Sequence, residues 1–247
     1  MRLLVEDRAL GEGLDGNRLA IARRLVTAGE FTLGVGVWRQ PSWPAESALW
    51  PGLLVLDGLL LRRLGIEGRY GGELLGSGDL LRPWQQHDPA STLPTRSAWA
   101  VTVRCRVAVL DRAFLERIAT YPEITGALFA RALARSRVLA ASMAIVQQPK
   151  VERRVLLMLW QLADRWGTVR AHGVRLGIRV SHTTLAGLVA AQRPTVTAAL
   201  SALRRSGAIT LLPDRHLLLH AAPPSLDVST DGNEMQTGAP EAARSRR

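Results

Sequence analysis

The stretch SHTTLAGLVAAQRPTVTAALSALRRSGAI, residues 181–209, decides how this chain is read. Ser181 is a suitable N-cap, and Leu185, Leu188 and Val189 recur behind it at helical spacing. The pattern breaks at Ala190-Ala191-Gln192 and restarts at Arg193-Pro194. Proline is tolerated in a helix only in the first turn, where its missing N–H costs nothing, so a second helix begins within a residue or two of Pro194. Val196, Ala199, Leu200 and Leu203 form its buried face, which turns Arg193, Thr195, Thr197, Ala198 and Ser201 outward from its N-terminal half.

Two short helices with a tight turn are common in proteins of many kinds, so the flanks carry the rest of the argument. Upstream, Val151, Val155, Leu159, Leu162 and Trp166 make the stripe of a helix ended by Gly167. Next comes a strand over 174–180, in which Val174, Leu176, Ile178 and Val180 alternate with Arg175 and Arg179. Downstream, Gly207 closes the second helix, and 209–212, a turn at 213–216 and 217–220 read as a hairpin. Helix, strand, helix, turn, helix, hairpin is the order of a winged helix, whose outward positions meet bases and phosphates in a major groove.

Charge agrees with this reading. The chain has 247 residues, 32 basic against 21 acidic, for a formal net charge of +11, and Lys150 is its only lysine. A GC-rich genome also yields arginine-rich proteins, so clustering is the deciding observation. Residues 150–222 hold 11 basic and 3 acidic groups, whereas residues 1–149 hold 18 and 14. An excess concentrated in the winged-helix segment calls for a polyanionic partner, double-stranded DNA.

Residues 30–111 read as short strands at 31–38, 52–56, 59–66, 70–75, 79–84, 97–103 and 106–110, an all-β sandwich or barrel. Asp57-Gly58 signals a two-residue hairpin and Glu67-Gly68 another tight turn. Five of the seven tryptophans fall in this region, most of them as ordinary β-core residues. Beyond Asp111 the pattern turns helical. Pro122 opens and Pro149 stops a helix of some 26 residues, in which Leu128, Ala132, Leu139, Ser142 and Val146, interrupted by Arg135, suggest a seam for a second helix. The small residues Ala140, Ala141 and Ala144 suit close approach of an identical helix and hence a homodimer. The expected organisation is a β domain over 1–115, a dimerisation helix over 116–149, a winged helix over 150–222 and a disordered tail over 223–247 rich in Pro, Ser, Asp and Gly.

Several classes are disfavoured. Cys105 is the only cysteine, which excludes internal disulfides, a four-cysteine zinc site and a protein-ligated iron–sulfur cluster. No metal or cofactor is expected, because His87, His172, His182, His216 and His220 lack metal-ligand spacing and no glycine-rich phosphate loop or nucleophile elbow appears. An enzyme is therefore not expected. No apolar run reaches membrane-spanning length, and Glu6 and Asp7 stand where a signal peptide needs its apolar core, so a cytoplasmic protein without membrane contact is the expectation.

Arg153-Arg154-Val155-Leu156-Leu157, Trp166-Gly167, Val180-Ser181-His182, Arg193-Pro194-Thr195-Val196-Thr197 and Leu203-Arg204-Arg205-Ser206-Gly207-Ala208-Ile209 together resemble the winged-helix domain of the Crp/Fnr transcription regulators. The resemblance spans about residues 30–220, specific after Arg153 and topological before it. It implies an α+β chain in which a cyclic-nucleotide-binding-like jelly roll leads through a long dimerisation helix to a winged helix-turn-helix. The partners it implies are DNA, a second copy and, for an activator, RNA polymerase.

The effector site departs from the family. Gly78-Asp79 matches the family's turn and Arg96-Ser97-Ala98 its arginine motif, but Arg82-Pro83-Trp84 replaces the Gly-Glu pair, and Pro89 and Pro94 interrupt the loop that should supply backbone amides. The helix pair that would contact the base falls at Leu139-Ala140. Classical cyclic-AMP binding is therefore not expected. The candidate effector residues are Trp84, Arg96, Ser97, Trp99 and Leu139, with Trp38 closing an apolar pocket, and the ligand is unknown. A haem sensor would have to rely on Cys105 and His87.

At the recognition helix Arg193 keeps the family's first arginine, while Pro194 replaces a glutamate and Ala198 a second arginine, so the target sequence differs. The resulting DNA-contact set is Ser181, His182, Gln192, Arg193, Pro194, Thr195, Thr197 and Ser201, with Arg193 on guanine and Gln192, Thr195 and Thr197 on phosphate. An alternative reading makes the β domain a protein-interaction module that uses the winged helix only as a DNA anchor.

Overall fold

The N-terminal residues, for which the sequence pattern offers no strand, fold as helices. The chain starts with α1 (Leu3–Glu6), a 3-10 turn at Arg8–Gly11 and α2 (Gly16–Leu25), whose Asp15 cap accepts from the Arg18 amide at 2.8 Å. In this computed structural model the described residues are 1–84 and 92–220; the expected tail, His87 and most of the loop before Arg96 lie outside them.

Strands β1 (Gly29–Leu33), β2 (Gly36–Val37), β3 (Gly52–Ile66), β4 (Arg69–Gly76), β5 (Leu80–Leu81) and β6 (Arg96–Leu110) form one antiparallel sheet ordered β1-β6-β3-β4, with β2 on β6 and β5 on β3. Glu67-Gly68 makes the expected turn, with φ of 48° and 77° and Ile66 opposite Arg69.

Asp57-Gly58 does not. Here β3 runs on for 15 residues beside the equally long β6, and the positive φ of Gly58 (88°) is used in an irregular stretch of the β3/β6 register. A Cβ on Gly58 would stand 2.2 Å from the Arg104 carbonyl oxygen, so the glycine permits close strand approach rather than chain reversal. The expected break between 103 and 106 is absent: Val103 faces Leu59 and Arg106 faces Asp57 on either side of the irregular stretch, and Cys105 between them pairs with Leu33 of β1, so β6 runs on as one strand.

The roll's interior is Leu53, Val55, Leu60, Leu75, Val101 and Val107 around Cys105, with Trp99 buried and Trp38, Trp43 and Trp84 packed against it. Burial pushes the Cys105 thiol up to about 12, so it behaves as a small hydrophobe. A second cluster joins Leu3, Leu4 and Leu10 to Phe114 and Ile118 of α3 (Arg112–Ile118) and to Ile124 and Leu128 of α4 (Pro122–Val146).

The inner face of α4 is the one the apolar spacing suggested for a partner. Leu128 is buried in the chain's own core, the Arg135 Nε and Nη2 donate to Glu73 at 2.6 and 2.8 Å, and the Ser142 Oγ lies 3.0 Å from the Gln161 side chain. The chain itself covers these positions, while Ala132 and Leu139 of the expected seam remain exposed. Phe129, Leu133, Ser136, Ala140, Met143 and Gln147, alternating by four and three, lie exposed on the adjoining flank, about 100° round the helix.

The C-terminal unit comprises α5 (Val151–Trp166), β7 (Gly167–Arg170), β8 (Gly173–Leu176), α6 (His182–Leu188), α7 (Arg193–Arg205), β9 (Ile209–Leu211) and β10 (Leu217–Leu219), its sheet ordered β7-β8-β10-β9. β7 escapes sequence reading because all four of its residues are exposed, and the expected 174–180 strand ends at Leu176. Ile178 and Val180 still pack against the winged-helix core although they lie outside a strand.

This unit is docked on the roll. Leu61 and Leu74 join its core, a Cβ on Gly72 would come within 3.0 Å of the Gly187 backbone, and Arg165 pairs with Asp79 at 2.7 Å. No helix among the described residues is long and apolar enough to cross a membrane.

Candidate DNA interface

Helix α6 starts where the Ser181 Oγ accepts from the Thr184 amide at 3.0 Å, so the hydroxyl caps the helix as its sequence position suggests. Leu185, Leu188 and Val189 are buried, and Ala190 takes a positive φ of 50° to turn the chain toward α7. Arg154 braces this turn from α5: its Nε donates to the Gln148 carbonyl at 2.5 Å and its Nη1 reaches the Val189 carbonyl at 3.5 Å.

Pro194 sits in the first turn of α7, and Val196, Ala199, Leu200 and Leu203 point into the core. Gln192, Arg193, Pro194, Thr195, Thr197 and Ala198 are exposed, while Ser201 is half-buried. The structure therefore brings Ser181, His182 and the whole Gln192–Ser201 group to one surface.

These groups are not equally free to meet a ligand. The Thr197 hydroxyl donates to the Arg193 carbonyl at 3.0 Å and lies 2.8 Å from the His182 Nδ1. With the Thr197 proton committed, that ring nitrogen donates, and the bond ties α6 to α7. The Ser201 Oγ donates to the Thr197 carbonyl at 3.0 Å. Arg193, Thr195 and Gln192 make no side-chain hydrogen bond or ion pair among the described residues. They stand at the N-terminus of a 13-residue helix, where free amides and the helix dipole favour anions.

The hairpin β9–β10 stands beside this surface, with Arg215 exposed in its turn at a φ of 65°. Arg175 reaches across from β8 to Asp214 at 2.8 Å and to the His216 Nδ1 at 3.1 Å. The bond from Arg175, followed by that from the His216 amide, lowers the Asp214 carboxyl to about 2. Arg215 and the exposed α4 stripe were not singled out from sequence. The 4-3 spacing from Phe129 to Gln147 was there to be found, but it competed with the more apolar phase that lies one residue earlier along the helix.

The candidate effector residues do not share a cavity among the described residues. Trp84 lines an open depression of ≈ 440 Å³ with Trp43 and Pro44, Trp99 lines one of ≈ 240 Å³ under α4, and Leu139 lines one of ≈ 720 Å³ between α4, β4 and α5. Arg96 and Ser97 pair with Gly65 and Leu64 at the distal end of β3 and line none of these three. Trp38 meets Trp99 edge-on at 5.8 Å, while Trp84 stacks instead with Trp43 at 4.9 Å.

Residues 153–223 match the Crp-like helix-turn-helix domain. The chain as a whole is similar in fold to FixK2 from Bradyrhizobium japonicum, with 20% identity, a TM-score of 0.58 and coverage of 79% of this chain and 93% of that one. It is similar also to a cyclic nucleotide-binding domain containing protein from Listeria monocytogenes, with 14% identity, a TM-score of 0.64 and coverage of 89% and 98%. A CooA mutant from Carboxydothermus hydrogenoformans gives 16%, 0.58, 78% and 84%. A search of curated protein sequences found no match. These similarities show a cyclic-nucleotide-binding-like roll joined to a Crp-like helix-turn-helix domain. Over residues 153–223 the chain carries a Crp-like helix-turn-helix domain, and its fold is similar to that of the solved structures just named.

Proposed function

We propose that the protein acts as a homodimer on double-stranded DNA, with α7 of each protomer in a major groove and the β9–β10 wing against the backbone. The observation that carries this reading is the exposed N-terminal half of α7, with an unpaired Arg193 on a unit holding 11 basic and 3 acidic residues. Arg193 has the fork geometry for guanine O6 and N7, whereas Thr195 and Gln192 are placed for phosphate. Thr197 and Ser201, committed to backbone carbonyls, support the surface, and His182 is held toward it by Thr197. Pro194 cannot accept from cytosine N4 as a glutamate would, so the operator differs from those read by an Arg-Glu pair.

Dimerisation is assigned to the exposed α4 stripe Phe129, Leu133, Ser136, Ala140, Met143 and Gln147, whose spacing is that of a coiled-coil seam. The protein answers to a ligand other than cyclic AMP or to none, in keeping with Pro83 and Trp84 where a carboxylate would be needed.

Selection of bound sequences from a random DNA pool tests the proposal. A two-fold symmetric sequence should emerge, with half-sites one helical turn (~34 Å) apart, and insertion of about five base pairs between them should abolish binding. Addition of cyclic AMP should leave the selected sequence and its affinity unchanged. An asymmetric or featureless selection would overturn it.

A further inference from the structure

The bond between the two helices of the DNA surface fixes more than their spacing. The Thr197 hydroxyl gives its proton to the Arg193 carbonyl at 3.0 Å, one turn back along α7, and so turns a lone pair to the His182 ring. The His182 Nδ1, 2.8 Å away, is therefore the nitrogen that carries hydrogen. In a neutral ring Nε2 is then bare. Residue 182 is exposed, and its Nε2 has no hydrogen-bond partner among the described residues.

A bare Nε2 is the wrong group for this place. The first helix of a helix-turn-helix crosses the DNA backbone, where phosphate oxygens need donors and a nitrogen lone pair is repelled. Adding a proton from solvent to Nε2 forms an N–H bond there, leaves the Nδ1–H on Thr197 undisturbed and makes the ring a cation with a donor at each nitrogen. The free protein gives that charge little support. Among the described residues no carboxylate lies within ion-pair reach of the ring. Arg179 precedes the Ser181 cap and Arg193 stands one turn from Thr197, both exposed. Of the elements packed on α6, α5 brings Arg154, bonded to the Gln148 and Val189 carbonyls, and β4 brings Arg69, Tyr70 and Glu73, the last held by Arg135. In the wing, Asp214 is taken by Arg175 and His216. Phosphate supplies the counter-charge that the chain does not.

We propose that His182 is a proton-coupled phosphate contact: its ring takes up a proton as DNA binds, and Thr197 is the positioning residue that makes the proton necessary by holding the hydrogen on Nδ1. This deepens the DNA-binding reading above and rests on it. Histidine is the side chain whose ordinary charge change falls between about pH 5 and 8, so in that window affinity should rise as pH falls.

Fluorescence anisotropy of the full chain on duplex DNA of random sequence, from about pH 8 to about pH 6, tests the proposal, because a phosphate contact is indifferent to sequence. The parent should gain about tenfold or more in affinity, and its salt slope should be steeper at the acid end by up to ~0.9 per protomer. His172, His216 and His220 are common to every variant, so the difference from the parent is what is read. His182→Arg, which donates at every pH, should bind at the alkaline end at least as tightly as the parent and lose most of the pH dependence. Thr197→Val releases Nδ1, so that a neutral ring can present Nε2–H, and should also flatten the profile, whereas Thr197→Ser keeps both bonds and should restore it. Calorimetry in two buffers of unequal ionisation enthalpy should detect proton uptake by the parent and almost none by His182→Arg, which decides the matter even if Thr197→Val fails to fold. Parallel profiles for His182→Arg and the parent, or a folded Thr197→Val as steep as the parent, would sink the proposal. Firm binding with a flat parent profile overturns it alone; no binding at any pH overturns the DNA reading with it.

Discussion

The β-roll with its helices and the winged helix differ in the share of cations that meet a carboxylate: among the described residues six of the 18 in residues 1–149 form an ion pair, against two of the 11 in residues 150–222. In the roll and its helices Arg106 reaches Glu6, Glu30 and Asp57, Arg131 holds Asp7, Arg135 holds Glu73 and Arg18 holds Glu123. In the winged helix Arg175 takes Asp214, Arg165 reaches back to Asp79 on the roll, and Arg170, Arg179, Arg193, Arg204 and Arg205 stay exposed without an ion pair among the described residues. The cause is stoichiometric: 14 carboxylates accompany 18 cations in the first 149 residues, and 3 accompany 11 in the next 73. A cation that finds no carboxylate at home is available to a polyanion.

The sharpest way to break this comparison is to put charge where the dimer is assigned. Phe129 and Met143 are 65% and 69% exposed in the single chain, and replacing both with glutamate would bury like charges face to face in the seam. Sedimentation should then show monomers, and operator affinity should fall by ~100-fold or more as bivalent engagement is lost. An unchanged dimer would move the interface elsewhere. A smaller effect is expected from Arg165→Ala, which strands the Asp79 carboxylate. That side chain is 9% exposed, so the loss should be about 1–3 kcal/mol in thermal unfolding. Adding Asp79→Asn should recover most of it, because the amide oxygen can still accept from the Gly76 amide. Additive losses in the double variant would show that the two side chains are not coupled.

How far each region was legible follows from the range of its contacts. α6 and α7 are specified locally, by the Ser181 cap, Pro194 in the first turn and a single buried stripe, and each is found where its residues place it. In the roll the same local signals mislead. Asp57-Gly58 has the composition of a hairpin turn, but the 15-residue partner strand β6, some 45 positions away, keeps β3 extended. On α4 Leu128 packs into the chain's own core and Ser142 meets Gln161 of α5, contacts that no window along the helix contains, while Ala132 and Leu139 of the same phase stay exposed beside the 4-3 stripe.

The α7 surface offers a finer test of the comparison between committed and available groups. Arg193→Ala should cost about 1–3 kcal/mol on the selected operator and little on random DNA, since a base contact carries discrimination. Thr195→Val, which keeps shape and removes a hydroxyl, should weaken binding to a similar and smaller extent on every sequence. Equal losses for Arg193→Ala on both DNAs would place a different residue against the bases.

The smallest expected effect tests the comparison within the winged helix itself, at the one cation it spends locally. Asp214 holds Arg175 at 2.8 Å, and the bond from Arg175 is the largest of the influences that lower this carboxyl from 3.8 to about 2. The sign follows from that direction. A carboxyl lowered in the folded state contributes stability that is fully present above the unfolded value and is lost as pH falls toward about 2, so melting between pH 5 and 8 should not vary on its account. The pair is exposed, and Asp214→Asn should therefore leave the melting temperature nearly unchanged at neutral pH. What should change is the response to salt. Asparagine removes the local counter-charge, raises the net charge of the segment by one and releases Arg175 toward the backbone beside the wing. The slope of log affinity against log salt should then steepen by up to ~0.9, the value for one additional phosphate contact, with no change in the selected sequence. An unchanged slope would mean that Arg175 stands off the DNA even when released, and that the wing contacts the backbone through Arg215 without it.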